Sequence, residues 1–157
     1  MSARLAISEK EERLVFLHNG RVAIFQLSNQ RWDMVSILRA AGGKPVSSED
    51  IIRKMWGHPD REPEAAYKAF RSIIHQLRRL FRPIGADRLI VSESKVGVYW
   101  DANALKYVRL TPKNSMTPEQ LALFERLKCR TVRAPKRLVV CPNCGHGIRM
   151  SSDRKLK

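Results

Sequence analysis

Two stretches of this sequence carry side chains that could do chemistry. In the first, Lys68, Arg71, Ser72, His75, Gln76, Arg78, Arg79 and Arg82 alternate with Phe70, Ile73, Ile74, Leu77, Leu80 and Phe81. A guanidinium can fork onto guanine O6/N7 and a glutamine amide can pair with adenine N6/N7. Further cations suit phosphates, which position a protein on a duplex without carrying sequence information. His75, Gln76, Arg78 and Arg79 are therefore candidates for base or groove contact, with Ser72 on the same face. Lys68, Arg71 and Arg82 are candidates for phosphate contact. Lys95, in the polar tip of a downstream hairpin, could enter a narrow minor groove. A merely solvated helix face and a plain turn lysine are the competing readings.

The second stretch is Cys141-Pro-Asn-Cys-Gly-His146. Two thiolates across a tight, glycine-containing turn can supply half of a tetrahedral Zn²⁺ site. Cys129, with eleven residues between it and Cys141, and His146 would complete a Cys129/Cys141/Cys144/His146 set. Such a zinc would be structural, folding a tail with little core of its own. A metal-free knuckle, a zinc shared between two chains and a redox pair stay open. Three cysteines are too few and too odd for a disulfide framework and point to a reducing compartment. No P-loop, GxSxG, HExxH or paired-carboxylate motif occurs, so nothing indicates an enzyme.

The elements that must position these residues follow from periodicity. Leu14–Leu17 and Val22–Leu27 flank an Asn19-Gly20 turn and predict a hairpin. Residues 1–13 read as a flexible lead. Ser28 precedes a helical stripe of Trp32, Val35, Leu38 and Ala41 that ends at Gly42-Gly43. Ser47 and Asp50 resemble a capping box before Ile51, Ile52, Met55 and Trp56, with Gly57 as the stop. Trp32 and Trp56 fall on apolar stripes and read as core. After a polar loop at 57–63, a helix spans about 64–82 with Phe70, Ile74, Leu77 and Phe81 as its buried stripe. Leu89–Val91 and Val96–Trp100 predict a second hairpin. Residues 102–116 read as a linker. Residues 117–157 read as a basic C-terminal segment in which Thr117-Pro118 opens a short helix. The expected fold class is α+β: hairpin, three helices and hairpin over residues 14–101, with a small basic extension.

The 157 residues hold 30 Lys/Arg against 15 Asp/Glu, a net charge of +15. A chain this basic attracts polyanions and gains affinity by releasing phosphate counterions. The excess is uneven: residues 1–101 carry net +5 and residues 102–157 net +10. No apolar run is long enough to span a bilayer, and the N-terminus is too short and charged for a secretory signal. A cytoplasmic, nucleoid-associated protein without a membrane partner is expected.

Residues 20–101 resemble the OmpR/PhoB-type winged helix-turn-helix DNA-binding domain. The resemblance is carried by Gly20-Arg21, Leu27-Ser28, Pro45-Val46-Ser47, Ile51-Ile52, Met55-Trp56-Gly57, Ile74-His75-Gln76-Leu77-Arg78-Arg79 and Val96-Gly97-Val98-Tyr99. The chain departs from the pattern in having one residue more between Gly97 and Tyr99 and in having Ser94 where a basic residue is usual. The sequence leaves no room for a preceding receiver domain, so phosphorylation-driven activation in cis is not expected. The resemblance implies a third helix in the major groove and a hairpin wing on the adjacent minor groove or backbone. It also implies that loop 58–63 can contact RNA polymerase, and it suggests a bacterial or phage origin. The function expected is a sequence-specific, double-stranded DNA-binding transcription regulator that could act as a homodimer. The alternatives are a nonspecific nucleoid or recombination-accessory DNA-binding protein and a protein-interaction module.

Overall fold

The computed structural model describes residues 2–57, 65–126, 138–140 and 147–149. The chain divides into two compact units, residues 28–107 and residues 1–27 with 108–157.

The central unit contains three helices and a hairpin: α1 (Asn29–Ala40), α2 (Ser48–Trp56), α3 (Ala66–Phe81), β4 (Ile90–Glu93) and β5 (Gly97–Trp100); the first three strands, β1 (Arg4–Ser8), β2 (Arg13–His18) and β3 (Arg21–Gln26), belong to the other unit. Ser28 occupies the N-cap position of α1 in extended conformation without a side-chain cap bond. At α2 the expected cap forms: Ser47 Oγ accepts from the Asp50 backbone N–H at 3.1 Å. Gly57 ends this helix in the left-handed region at φ +68°, a conformation that costs glycine nothing sterically. Met34, Val35 and Leu38 of α1, Ile51 and Ile52 of α2, and Phe70, Ile73, Ile74, Leu77 and Phe81 of α3 are buried. Trp32 and Trp56 are half-buried.

Past α3, two 3-10 turns, Arg82–Ile84 and Asp87–Leu89, lead the chain into β4. β4 and β5 pair antiparallel from Ile90↔Trp100 to Glu93↔Gly97. The free edge of β5 is then used a second time. The Val46 N–H donates to the Val98 carbonyl at 2.8 Å and the Val98 N–H to the Val46 carbonyl at 2.9 Å. This doubly bonded bridge ties the hairpin to the residue just before the α2 cap. Val98, the residue that lengthens the Gly-to-Tyr spacing, is the one that makes it and is 3% exposed.

The other unit is built on a meander of β1 (Arg4–Ser8), β2 (Arg13–His18) and β3 (Arg21–Gln26). Asn19 and Gly20 have φ of +50° and +70°, as a two-residue turn between twisted strands demands. The predicted flexible lead is instead a strand: Leu5 faces Phe16 and Ile7 faces Leu14 across the β1–β2 ladder. Glu12, at φ +52°, closes the turn between them. Leu14, Phe16, Ala23 and Phe25 are buried, and the Phe16 and Phe25 rings meet edge to face with centroids 5.6 Å apart.

The predicted linker does not run free either. Ala102–Tyr107 coils as a 3-10 helix in the central unit, and the chain from Val108 onward joins the meander's unit. Met116 exchanges two backbone hydrogen bonds with Val22, of 2.8 and 2.7 Å. It packs with Val22 and Ile24 beside Val15 and Leu121. Arg21 Nε donates to Ser115 Oγ at 2.6 Å. Helix α4 (Pro118–Arg126) follows with a reciprocal cap. The Gln120 N–H donates to Thr117 Oγ1 at 3.2 Å, and the Thr117 N–H donates to Gln120 Oε1 at 2.9 Å. This is the pairing of a capping box, which satisfies two helix-end donors at once. Backbone hydrogen bonding and the Thr117 hydroxyl hold the exposed Glu119 carboxyl below its ordinary pKa. Two short strands, β6 (Leu138–Val140) and β7 (Gly147–Arg149), pair antiparallel. Among the described residues no helix is long and apolar enough to cross a membrane.

Candidate nucleic-acid interface

Burial of one face of α3 dictates what the other face presents. With Phe70, Ile73, Ile74, Leu77 and Phe81 turned inward, Lys68, Arg71, Ser72, His75, Gln76 and Arg79 are all exposed. Arg82, the first residue of the following 3-10 turn, is exposed as well. No Asp or Glu occurs between Glu64 and Asp87, so α3 itself supplies nothing that neutralises these cations. The result is a positively charged, donor-rich helix face, the surface a phosphate-lined groove attracts.

Arg78 behaves differently from its neighbour Arg79. It is half-buried; its Nε donates to the Ile90 carbonyl at 3.0 Å and its Nη2 to Ser92 Oγ at 2.8 Å. Both acceptors lie on β4. The guanidinium therefore fastens the hairpin to α3 and fixes how the two surfaces stand relative to each other. The sequence pattern marks Arg78 as a base-reading candidate; its hydrogen bonds make it a brace.

A groove of about 670 Å³ opens between the first turn of α2, the exposed side of α3 and the hairpin, and Arg71, His75, Arg78 and Lys95 contribute to its walls. Two carboxylates stand at its rim, Glu49 and Glu93, and each accepts a tyrosine hydroxyl: Tyr67 to Glu49 at 3.4 Å and Tyr99 to Glu93 at 2.8 Å. The hydrogen bond to Glu93 is the main cause that raises the Tyr99 phenol above its ordinary pKa, so Tyr99 stays a neutral donor. Lys95 is exposed in the hairpin turn at φ +66°, and the Val96 N–H closes that turn onto the Glu93 carbonyl at 3.2 Å. A left-handed lysine is unfavourable relative to glycine, yet it projects a cation from the hairpin's end.

One contributor carries no sequence signal. Arg31, in the first turn of α1, donates from Nε to Gln76 Oε1 at 3.1 Å, and Gln76 Nε2 donates to Ser72 Oγ at 3.1 Å. An arginine among the polar residues of α1 looks like any solvated charge. Only the packing of α1 beside α3 brings it to the candidate face.

Of the residues singled out from sequence, the structure gathers Lys68, Arg71, Ser72, His75, Gln76, Arg79 and Arg82 along α3 and its end, and it links the hairpin bearing Lys95 through Arg78. The proposed metal ligands Cys129, Cys141, Cys144 and His146, and the loop 58–63, lie outside the described residues. Among the described residues no group of three or more His, Cys, Asp or Glu side chains is placed to hold a metal ion.

No family model and no curated protein matches the sequence. A solved structure does match in three dimensions: the DNA-binding domain of the response regulator AdeR, in complex with an intercistronic region. The superposition has a TM-score of 0.52 at 13% identity and covers 62% of this chain and 93% of the other. At that identity the likeness is one of fold, and it makes this chain an α+β winged-helix protein.

Proposed function

We propose that this protein is a transcription regulator that binds double-stranded DNA and reads sequence with α3 in the major groove while the β4–β5 wing lies on the adjacent minor groove or backbone. The observation that carries this reading is the exposed cationic face of α3, free of carboxylates of its own and joined by Arg78 to a wing tipped by Lys95. The matched structure is a DNA-binding domain in complex with an intercistronic region, which supports double-stranded DNA as the partner. In this reading His75, Gln76 and Arg79 meet base edges. Lys68, Arg71 and Arg82 suit phosphates on either side. The basic residues 102–157 add sequence-independent phosphate affinity.

Selection of the purified protein against a random duplex library at near-physiological salt tests this. An enriched motif of several base pairs is expected. Tight binding without a motif would instead indicate a nucleoid or recombination-accessory protein, because the specificity ratio separates the two. No binding would leave the winged helix as a protein-docking module.

Arg78→Ala is expected to weaken binding to all sequences alike and to destabilise the central unit by about 1–2 kcal/mol, since it removes charge-assisted hydrogen bonds that hold the wing. Binding curves on specific and scrambled duplexes, alongside urea denaturation, decide it. A loss confined to one base position, with stability unchanged, would return Arg78 to base reading.

The regulator reading extends to contact with RNA polymerase through loop 58–63 and to binding as a homodimer; paired half-sites in the selected motif would mark the dimer. Cys141 and Cys144, with Cys129 and His146, are further proposed to hold one structural Zn²⁺, on the strength of thiolate and imidazole donors in a knuckle spacing. The purified protein is expected to carry about one zinc per chain or per shared site. Chelation should alter the far-ultraviolet spectrum, because zinc binding and folding of a small tail are coupled. Zinc-free protein with an unchanged spectrum in chelator would end this part of the reading.

A further inference from the structure

Gln76 lies at the edge of the α3 face nearest α1, and its amide is held from both sides: by Arg31 Nε on Oε1 and by Ser72 Oγ on Nε2, each at 3.1 Å. A guanidinium has donors and no acceptor, so it can only face the amide oxygen. That fixes which end of the amide is which. A glutamine that grips adenine with two hydrogen bonds needs its oxygen open to the N6 amino group and an N–H open to N7. Here the guanidinium stands at the oxygen. An adenine amino group approaching that side meets further guanidinium N–H groups, donor against donor. A guanine edge offers N7 and O6, both acceptors, to the free amide N–H and the remaining guanidinium N–H groups.

We propose that Arg31 and Gln76 act as one donor-rich unit that selects guanine over adenine at a single position of the DNA site, with Arg31 both orienting the Gln76 amide and donating to the base edge and Ser72 fixing the amide. This rests on the DNA-reading function above and names a determinant of its specificity. Arg31 is half-buried in the first turn of α1, so its stem is supported while its head reaches the interface. The same hydrogen bond also braces α1 against α3. Base preference, which a brace alone would not alter, is therefore the informative readout.

Library selection run in parallel on the wild type, Gln76→Ala, Arg31→Ala and Arg31→Lys, with a thermal melt of each to establish folding, tests the unit. The wild type is expected to enrich guanine at a position that becomes degenerate in Gln76→Ala. Arg31→Ala should lower the guanine-to-adenine preference there on the order of tenfold, or move it to adenine, with other positions unchanged. Arg31→Lys keeps a cation at the amide oxygen and should retain guanine. An identical motif from Arg31→Ala and the wild type, or adenine at the Gln76 position of the wild type, would overturn the unit and leave the DNA-reading function standing. The absence of any wild-type motif would overturn both.

Discussion

Gly97→Ala is expected to destabilise the central unit by about 2–4 kcal/mol, the sum of backbone strain and overpacking, and to abolish ordered presentation of the wing. Gly97 has φ +130°, a region open essentially to glycine alone. A Cβ there would collide with the Val46 carbonyl oxygen and stand 2.8 Å from its carbon. Those Val46 atoms cannot retreat cheaply, because Val46 and Val98 are joined by two backbone hydrogen bonds immediately ahead of the Ser47 cap. The clash thus reaches the wing and the start of α2 together. For a domain of this size the loss corresponds to a fall in melting temperature of roughly 10–25 °C. Calorimetry or urea denaturation of the purified variant measures it. A variant within about 0.5 kcal/mol of the wild type, the range of neutral surface changes, would show that the wing is not seated on Val46.

Arg71→Glu combined with Arg79→Glu should leave the fold intact and cut DNA affinity on the order of a hundredfold to a thousandfold, from the loss of two contacts of about 1–3 kcal/mol each. Both side chains are exposed, so neither reversal burdens the core. If Arg71 meets a phosphate, the slope of log affinity against log salt should also become shallower by about one. Fluorescence anisotropy across a salt series reads both quantities. Unchanged affinity would reduce α3 to a solvated face and assign any DNA binding to the basic residues beyond 102.

The order of elements in the central unit was legible in the sequence because its signals are local. The apolar stripe of α3, the Ser47 cap and the Gly57 stop each act within a few residues of themselves, as does the Asn19-Gly20 turn of the other unit, and the structure shows all four. The strand Arg4–Ser8 was not legible: its alternation covers only Leu5 and Ile7, and its turn, Glu9-Lys10-Glu11-Glu12, has neither glycine nor asparagine. Residues 108–116 resemble a linker because no period runs through them. They are fixed by the free edge of β3, where Val22 offers Met116 a pair of unsatisfied backbone groups.

The same division holds at the candidate interface. Sequence determined that α3 would carry a cationic face, since an amphipathic period with arginines between its apolar positions allows little else. It could not tell Arg78 from Arg79. Successive helical residues diverge by about 100°, and which of the two meets a neighbour depends on where the hairpin packs. Nor could it select Arg31, whose partner lies 45 residues away. Local pattern sets what each element is and which face it buries. Tertiary packing sets which charges are consumed as braces and which remain to meet a ligand, because a guanidinium's role is decided by the acceptors that the fold brings to it.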